Sequence, residues 1–201
     1  MRYPTLLVAP AAALALFTGC GTGPASGSGA TTVDENQVAP GDTGQQADDG
    51  DAALGTRDNP LTLGTRIEMG DWTLAVTDVT LDATKKVLNE NPFNEKPVKG
   101  RQFVMFAVKA TYQGKESGTA WTDFSWAIVG NKGNTFGGTS MDDHCGVIPK
   151  PLDDTGETFP DGKVRGNVCI SAPSNQLDGA TIRIEETLSF EDTRAFYALQ
   201  R

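Results

Sequence analysis

From residue 101 to residue 112 the chain alternates with a period of two. Val104, Phe106, Val108, Ala110 and Tyr112 fall on one side, with Phe103 and Met105 on the other. Apolar positions on both sides predict a central strand covered on both faces. The segments around it carry the same period. Residues 62–69 predict a first strand after Pro60. Residues 71–82 place Trp72, Leu74 and Val76 on one face, then Val79 and Leu81 on the other. A phase slip inside one strand predicts a bulge near Thr77 and Asp78. Thr122, Phe124, Trp126 and Ile128 form another alternating set, and residues 130–134 (Gly-Asn-Lys-Gly-Asn) turn the chain back into Thr135 and Phe136. Residues 163–171, 180–190 and 194–199 complete the pattern. One short helix is predicted over residues 82–89, with Asp82 as its N-cap and Ala83, Val87 and Leu88 on one side. Seven to eight short strands with Gly, Asn, Asp and Pro turns, and no alternation with helices, predict an all-β antiparallel two-sheet sandwich.

The N-terminal third reads differently. Residues 6–17 are a run of mostly apolar residues behind Arg2, too short to span a bilayer and of the length of a signal-peptide core. The run ends in Thr18-Gly19-Cys20, with Leu16 and Phe17 before it. This resembles the lipobox of bacterial lipoproteins, with Phe17 where Leu, Val or Ile is usual. The resemblance implies cleavage of residues 1–19 and lipidation of Cys20, which becomes the new N-terminus. The alternative is an ordinary secretory signal with Cys20 as a bystander. Residues 20–56 are rich in Gly, Ser, Ala, Thr and Gln, contain no Lys, Arg or aromatic residue, and carry six acids: Asp34, Glu35, Asp42, Asp48, Asp49 and Asp51. So little apolar area predicts a disordered acidic linker. Its length corresponds to a tether of about 30–35 Å. The folded domain is then expected over residues 57–201.

Charge narrows the partners. The chain has 17 basic and 26 acidic residues, a net charge of −9, and loss of Arg2 leaves −10. Non-specific nucleic-acid binding is driven by Lys and Arg displacing counterions, so no nucleic-acid partner is expected. Attachment to a membrane is expected through lipid on Cys20 and not through charge. Of three cysteines, lipidation uses Cys20 and leaves Cys145 and Cys169 as one pair. Cys169 alternates with Val168 and Ile170, so a bridge from it would pin the loop over residues 141–162 to a sheet's outer face. A redox-active pair is the alternative, and the chain lacks a Cys-x-x-Cys arrangement for it.

Catalytic and metal signatures are sparse. His144 is the single histidine; Asp142, Asp143, Asp153, Asp154, Glu157 and Asp161 are close to it in sequence. They lack the spacing of a calcium loop, and one histidine excludes the two-histidine zinc motifs. There is no Gly-x-Ser-x-Gly elbow and no Ser-x-x-Lys. No catalytic residue, metal site or cofactor is therefore expected. The most distinctive loop is Asn91-Pro92-Phe93-Asn94. Phe93 there is either an aromatic anchor for a partner or a plug that folds back over the open end of the sandwich. The plug is the reading preferred here, because Asn91 and Asn94 are suited to the loop's own backbone hydrogen bonds.

Four pieces carry a wider resemblance. They are Asn91-Pro92-Phe93-Asn94 with Pro97, Gly100 and the Phe103-Val104 strand; Cys145-Gly146-Val147-Ile148-Pro149; Gly156-Glu157 and Phe159 with Gly166-Asn167-Val168-Cys169; and Phe190-Glu191-Asp192-Thr193-Arg194. With the lipobox and linker they resemble actinobacterial lipoproteins with a telokin-like, immunoglobulin-like domain of unknown function, related in fold to a secreted mycobacterial immunoprotective antigen. The resemblance covers residues 57–201. It implies an immunoglobulin-like sandwich on the outer face of the cytoplasmic membrane and brings no catalytic residues with it. The function expected is a non-catalytic module that binds a protein or the cell envelope. A small-ligand or metal-binding sensor or carrier is the alternative, and an envelope enzyme is a third class. Replacing Cys20 by Ala is expected to release the protein from the membrane fraction. A variant that sediments with membranes as fully as wild type would contradict lipidation.

Overall fold

Two antiparallel sheets face one another in the computed structural model, which describes residues 31–33, 54–137, 144–189 and 193–200. The first sheet contains β1 (Thr31–Val33), β2 (Arg66–Met69), β3 (Trp72–Thr80), β4 (Arg101–Tyr112) and β7 (Lys163–Pro173), in the order β1-β2-β3-β4-β7. The second contains β5 (Phe124–Val129), β6 (Thr135–Gly137), β8 (Thr181–Glu186) and β9 (Arg194–Ala198), in the order β6-β5-β8-β9. The protein is the all-β antiparallel two-sheet sandwich that the alternation predicts.

The inner faces make one core. Leu74, Val76, Val104, Phe106, Val108, Val168 and Ile170 of the first sheet meet Phe124, Trp126, Ile128, Ile182, Ile184 and Tyr197 of the second. Phe106 and Trp126 face each other across the sheets with ring centroids 6.4 Å apart. Such a pair contributes about 0.5–1.5 kcal/mol beyond its area. The Tyr197 hydroxyl, deep in this core, donates to the Thr65 carbonyl at 2.8 Å and so avoids an unpaired buried donor.

Strand β4 has neighbours on both edges and apolar residues on both faces. Its bounds match the alternating segment at each end. The β3–β4 register jumps from Val76 opposite Val108 to Val79 opposite Phe106, so the bulge lies at Thr77 and Asp78. The extra residue turns Val79 back toward the core, which it lines half-buried. On the outer face Phe103 and Met105 form a second apolar cluster with Ala83, Val87, Cys145 and Ile148. Helix α1 (Thr84–Glu90) lies over them, and the Ala83 amide donates to the Phe103 carbonyl at 2.7 Å. Cys169, opposite Met105 on β7, points the same way and is bonded to Cys145, with a sulfur–sulfur distance of 2.02 Å. The outer face of β4 is thus covered over its first half by α1 and by the chain following His144.

Several local expectations differ. The first strand starts at Arg66 and not at residue 62, because residues 62–65 turn, with Gly64 at φ +91° and Thr65 bonded to the Thr62 carbonyl. Thr122 lies in a helical turn, α2 (Ala120–Asp123), closed by two amides that donate to the Thr119 carbonyl. The strand expected over residues 180–190 ends at Glu186, and Leu188 is 88 % exposed. Ala83, not Asp82, holds the N-cap position of α1, although Asp82 Oδ1 accepts from the Thr84 amide at 3.1 Å. The disorder expected throughout residues 20–56 is corrected at two places. Thr31–Val33 pairs with β2, Val33 opposite Arg66, and the Gly55 carbonyl accepts from the Phe196 amide at 2.9 Å. The backbone there has found sheet partners that its composition does not advertise. The signal peptide, Cys20 and the rest of the linker lie outside the described residues.

Cys145 and Cys169 are 24 positions apart. Closing a loop of that size stabilises by about 3–4 kcal/mol on the chain-entropy account. Replacing both by Ser is expected to lower unfolding stability by about 2–4 kcal/mol while the strand signal in far-ultraviolet circular dichroism persists. Limited proteolysis should then cut first near Asp153 and Asp154. Unchanged stability in the double variant would show that the outer layer holds without the bond.

Candidate functional site

Past Glu90 the helix cannot continue. Asn91 is extended (φ −145°, ψ 131°), and Pro92 supplies no amide donor. The Phe93 amide donates to Asn91 Oδ1 at 2.9 Å, and the Asn94 amide donates to the Asn91 carbonyl at 3.1 Å. Asn91 therefore shapes the turn from inside, as short amide side chains do.

Asn94 fixes the turn to the body. Its Nδ2 donates to the Val87 carbonyl at 2.6 Å and to the Val147 carbonyl at 2.7 Å. Its Oδ1 accepts from the Val147 amide at 2.9 Å. Val87 is in the last turn of α1, where carbonyls have no intrahelical donor. One side chain thus caps the helix and pairs with the backbone two residues beyond Cys145. Gly146, between them, has φ +70°, and a Cβ there would run into the Asn94 amide. Any other residue would break the clasp.

The consequence for Phe93 is opposite to the plug reading. The ring is 90 % exposed, and Val147 beside the clasp is 51 % exposed. The ring does not fold back because the space under the loop is already filled by Val87, Phe103, Met105, Cys145 and Ile148. Leaving a phenyl group in water forgoes about 1.5–3 kcal/mol of burial. Asn91 and Asn94 do make the local hydrogen bonds expected of them, and those bonds hold Phe93 outward. Val147 is the member of the site that the sequence alone does not reveal, since nothing ties positions 94 and 147 together until the chain folds.

The other candidates are not brought together. His144 is exposed, and Asp142 and Asp143 lie outside the described residues. Asp153 and Asp154 sit in a short 3-10 turn, Leu152–Thr155. Glu157 accepts from Ser117 Oγ at 2.6 Å. Among the described residues no group of three His, Cys, Asp or Glu is placed to hold a metal ion. At the far end of β4 a cleft of about 210 Å³ is lined by Asp71, Tyr112, Asp123 and Glu186 among others. Asp123 Oδ2 there accepts from Trp72 Nε1 at 2.8 Å and from the Thr119 amide at 3.1 Å, which makes it a structural carboxylate. Desolvation, then the Asp71, Asp123 and Glu116 carboxylates, raise the Tyr112 phenol above its ordinary value, so it stays protonated at neutral pH.

No family model matches the chain, and no curated protein matches it. Several solved structures are similar to parts of it. The yjhA protein from Bacillus subtilis is 13 % identical, with 70 % of this chain and 99 % of that one covered and a TM-score of 0.44. An uncharacterised β-sandwich protein from Clostridium difficile is 8 % identical, covering 78 % and 100 %, also with a TM-score of 0.44. A conserved hypothetical protein from Bacillus anthracis is 10 % identical, covering 68 % and 94 %, with a TM-score of 0.40. These similarities assign no residue a role.

The clasp makes a direct test. Asn94→Ala removes three hydrogen bonds to backbone groups and is expected to cost about 1–2 kcal/mol, read from the denaturant midpoint. Asn94→Asp keeps the acceptor for the Val147 amide but sets a negative oxygen against two carbonyls, so it should cost at least as much. Two variants as stable as wild type would show that the loop is held by something else.

Proposed function

We propose that this chain is a lipid-anchored, extracytoplasmic binding module of the bacterial cell envelope, which presents the Phe93 loop to a protein partner. The observation that carries the reading is the contrast at Phe93. The ring is 90 % exposed, while the backbone beneath it is fixed by Asn91, Asn94 and the segment next to the Cys145–Cys169 bond. A rigid exposed aromatic loses little entropy on binding and supplies a large apolar contact, the composition of an interface hot spot. Val147 extends the apolar centre, and Glu90, Glu95, Lys96 and Lys99 supply an exposed polar rim. The disulfide suits an oxidising compartment. The apolar run before Cys20, the acidic linker and the similarity to actinobacterial lipoproteins with a telokin-like domain support the location and the tether.

A photo-crosslinking residue at position 93, in intact cells, is expected to yield a discrete adduct that the same residue at position 132 does not. Lys132 is an exposed control in the turn between β5 and β6. The Phe93→Ala protein should keep its wild-type melting temperature and lose competition for that adduct. No adduct at 93, or the same adduct from both positions, would overturn the reading.

A further inference from the structure

The outer face of the first sheet changes character halfway along β4. Its outward positions run Phe103, Met105, Ala107, then Lys109 and Thr111. The first three lie beneath or beside the layer pinned by the disulfide, and the last two are beyond it. Register assembles the rest. Lys109 is opposite Arg165 on β7 and opposite Ala75 on β3. Thr111 is opposite Lys163 on β7 and Thr73 on β3. Arg66, on β2, lies across the same groove.

Two cations directly opposite each other on one face of a sheet repel, so this arrangement does not serve the fold. Ala75 leaves a low floor between them. The result is a groove of about 570 Å³ along which Arg66, Lys109, Lys163 and Arg165 converge, and among the described residues no Asp or Glu lines it. Asp78 on β3 reaches Arg165 on β7 at 3.0 Å across β4, at the rim of the groove, with both side chains largely in solvent (74 % and 60 % exposed), where such pairs are weak. An adjoining hollow of about 420 Å³ continues from Arg165 to Lys150. Lys150 has φ +49°, a backbone conformation that a side chain other than glycine disfavours. Asn167 holds it there, its amide donating to the Lys150 carbonyl at 2.8 Å and its Nδ2 to the Pro149 carbonyl at 2.6 Å. The backbone that carries a fifth cation is thereby fixed beside the same track, in a chain whose net charge is −9.

We infer that this groove binds a linear phosphodiester polymer that carries no bases. Three strand spacings separate Arg66 on β2 from Arg165 on β7, about 14 Å, room for successive phosphate groups and not for one small anion alone. Arginine forks match phosphate oxygens in pairs. An acidic peptide fits less well, because β3 and β4 have sheet neighbours on both sides and the floor offers a peptide no backbone partners. Single-stranded nucleic acid fits less well too, because among the described residues no aromatic ring lines the groove for bases to stack on. The groove is separate from the Phe93 loop, so either proposal can fail without the other.

The test is titration of the full chain with fluorescent poly(glycerol phosphate), with single-stranded DNA and polyglutamate as rivals. Saturable binding is expected that weakens about tenfold or more between about 50 and about 200 mM salt. Lys109→Gln with Lys163→Gln, both on exposed positions, should weaken it about tenfold and lower the salt slope by about one per cation removed. Lys132→Gln should change nothing. Absence of saturable binding at the lower salt, equal binding by the double variant, or DNA or polyglutamate binding as tightly would each overturn the inference.

Discussion

Strand β4 is apolar on both faces, and neither face can be left against water without a large loss of burial. The inner face is satisfied by the second sheet. The outer face is satisfied only as far as Met105, by Val87 of α1 and by Cys145 and Ile148. That second layer contains little secondary structure of its own. Its α-helix has seven residues, below the length at which helices persist alone in water. It stands because the Cys145–Cys169 bond ties it to β7, the Ala83 amide ties it to β4, and Asn94 ties its two halves to each other.

The same constraint divides the molecular surface. Where the outer layer ends, β4 changes from Met105 to Lys109, and the sheet face opens as a cationic groove. Where the layer is thickest, it leaves no room for another ring, and Phe93 is held outward. One end of the sheet therefore offers an aromatic tip on a braced loop, and the other offers a charged track across four strands. A small β-sandwich has few ways to create distinct binding surfaces without adding domains. Covering only half of one sheet leaves two surfaces of different chemistry, the two we propose for binding.

Much of the framework could be read from residue order. Both bounds of β4, the bulge at Thr77 and Asp78 and the outward direction of Cys169 follow from alternation, since side-chain direction in a strand has a strict period of two. Other features depend on contacts that are remote in sequence. Whether Phe93 plugs or protrudes is decided by Ile148 and Cys145, more than fifty positions away, which already occupy the space. Thr122 keeps the strand alternation, yet its amide joins a helical turn because the Thr119 carbonyl is available. Leu188 continues the period of β8 but has no core to face. The cationic groove combines one residue each from β2 and β4 with two from β7, each unremarkable alone. The one local sign was the change from apolar to charged on the outward side of β4. The pairing of Thr31–Val33 with β2 had no compositional signal at all.

The central claim is that the pinned outer layer holds the Phe93 loop in place. Amide hydrogen exchange before and after reduction of the single disulfide tests this most directly. The account predicts that the amides of Phe93, Asn94 and Val147 lose protection together on reduction, while the inner strands β4, β5 and β8 keep theirs, since local openings need not involve the core. Protection at Phe93 and Asn94 that survives reduction, with loss confined to residues 144–150, would contradict it.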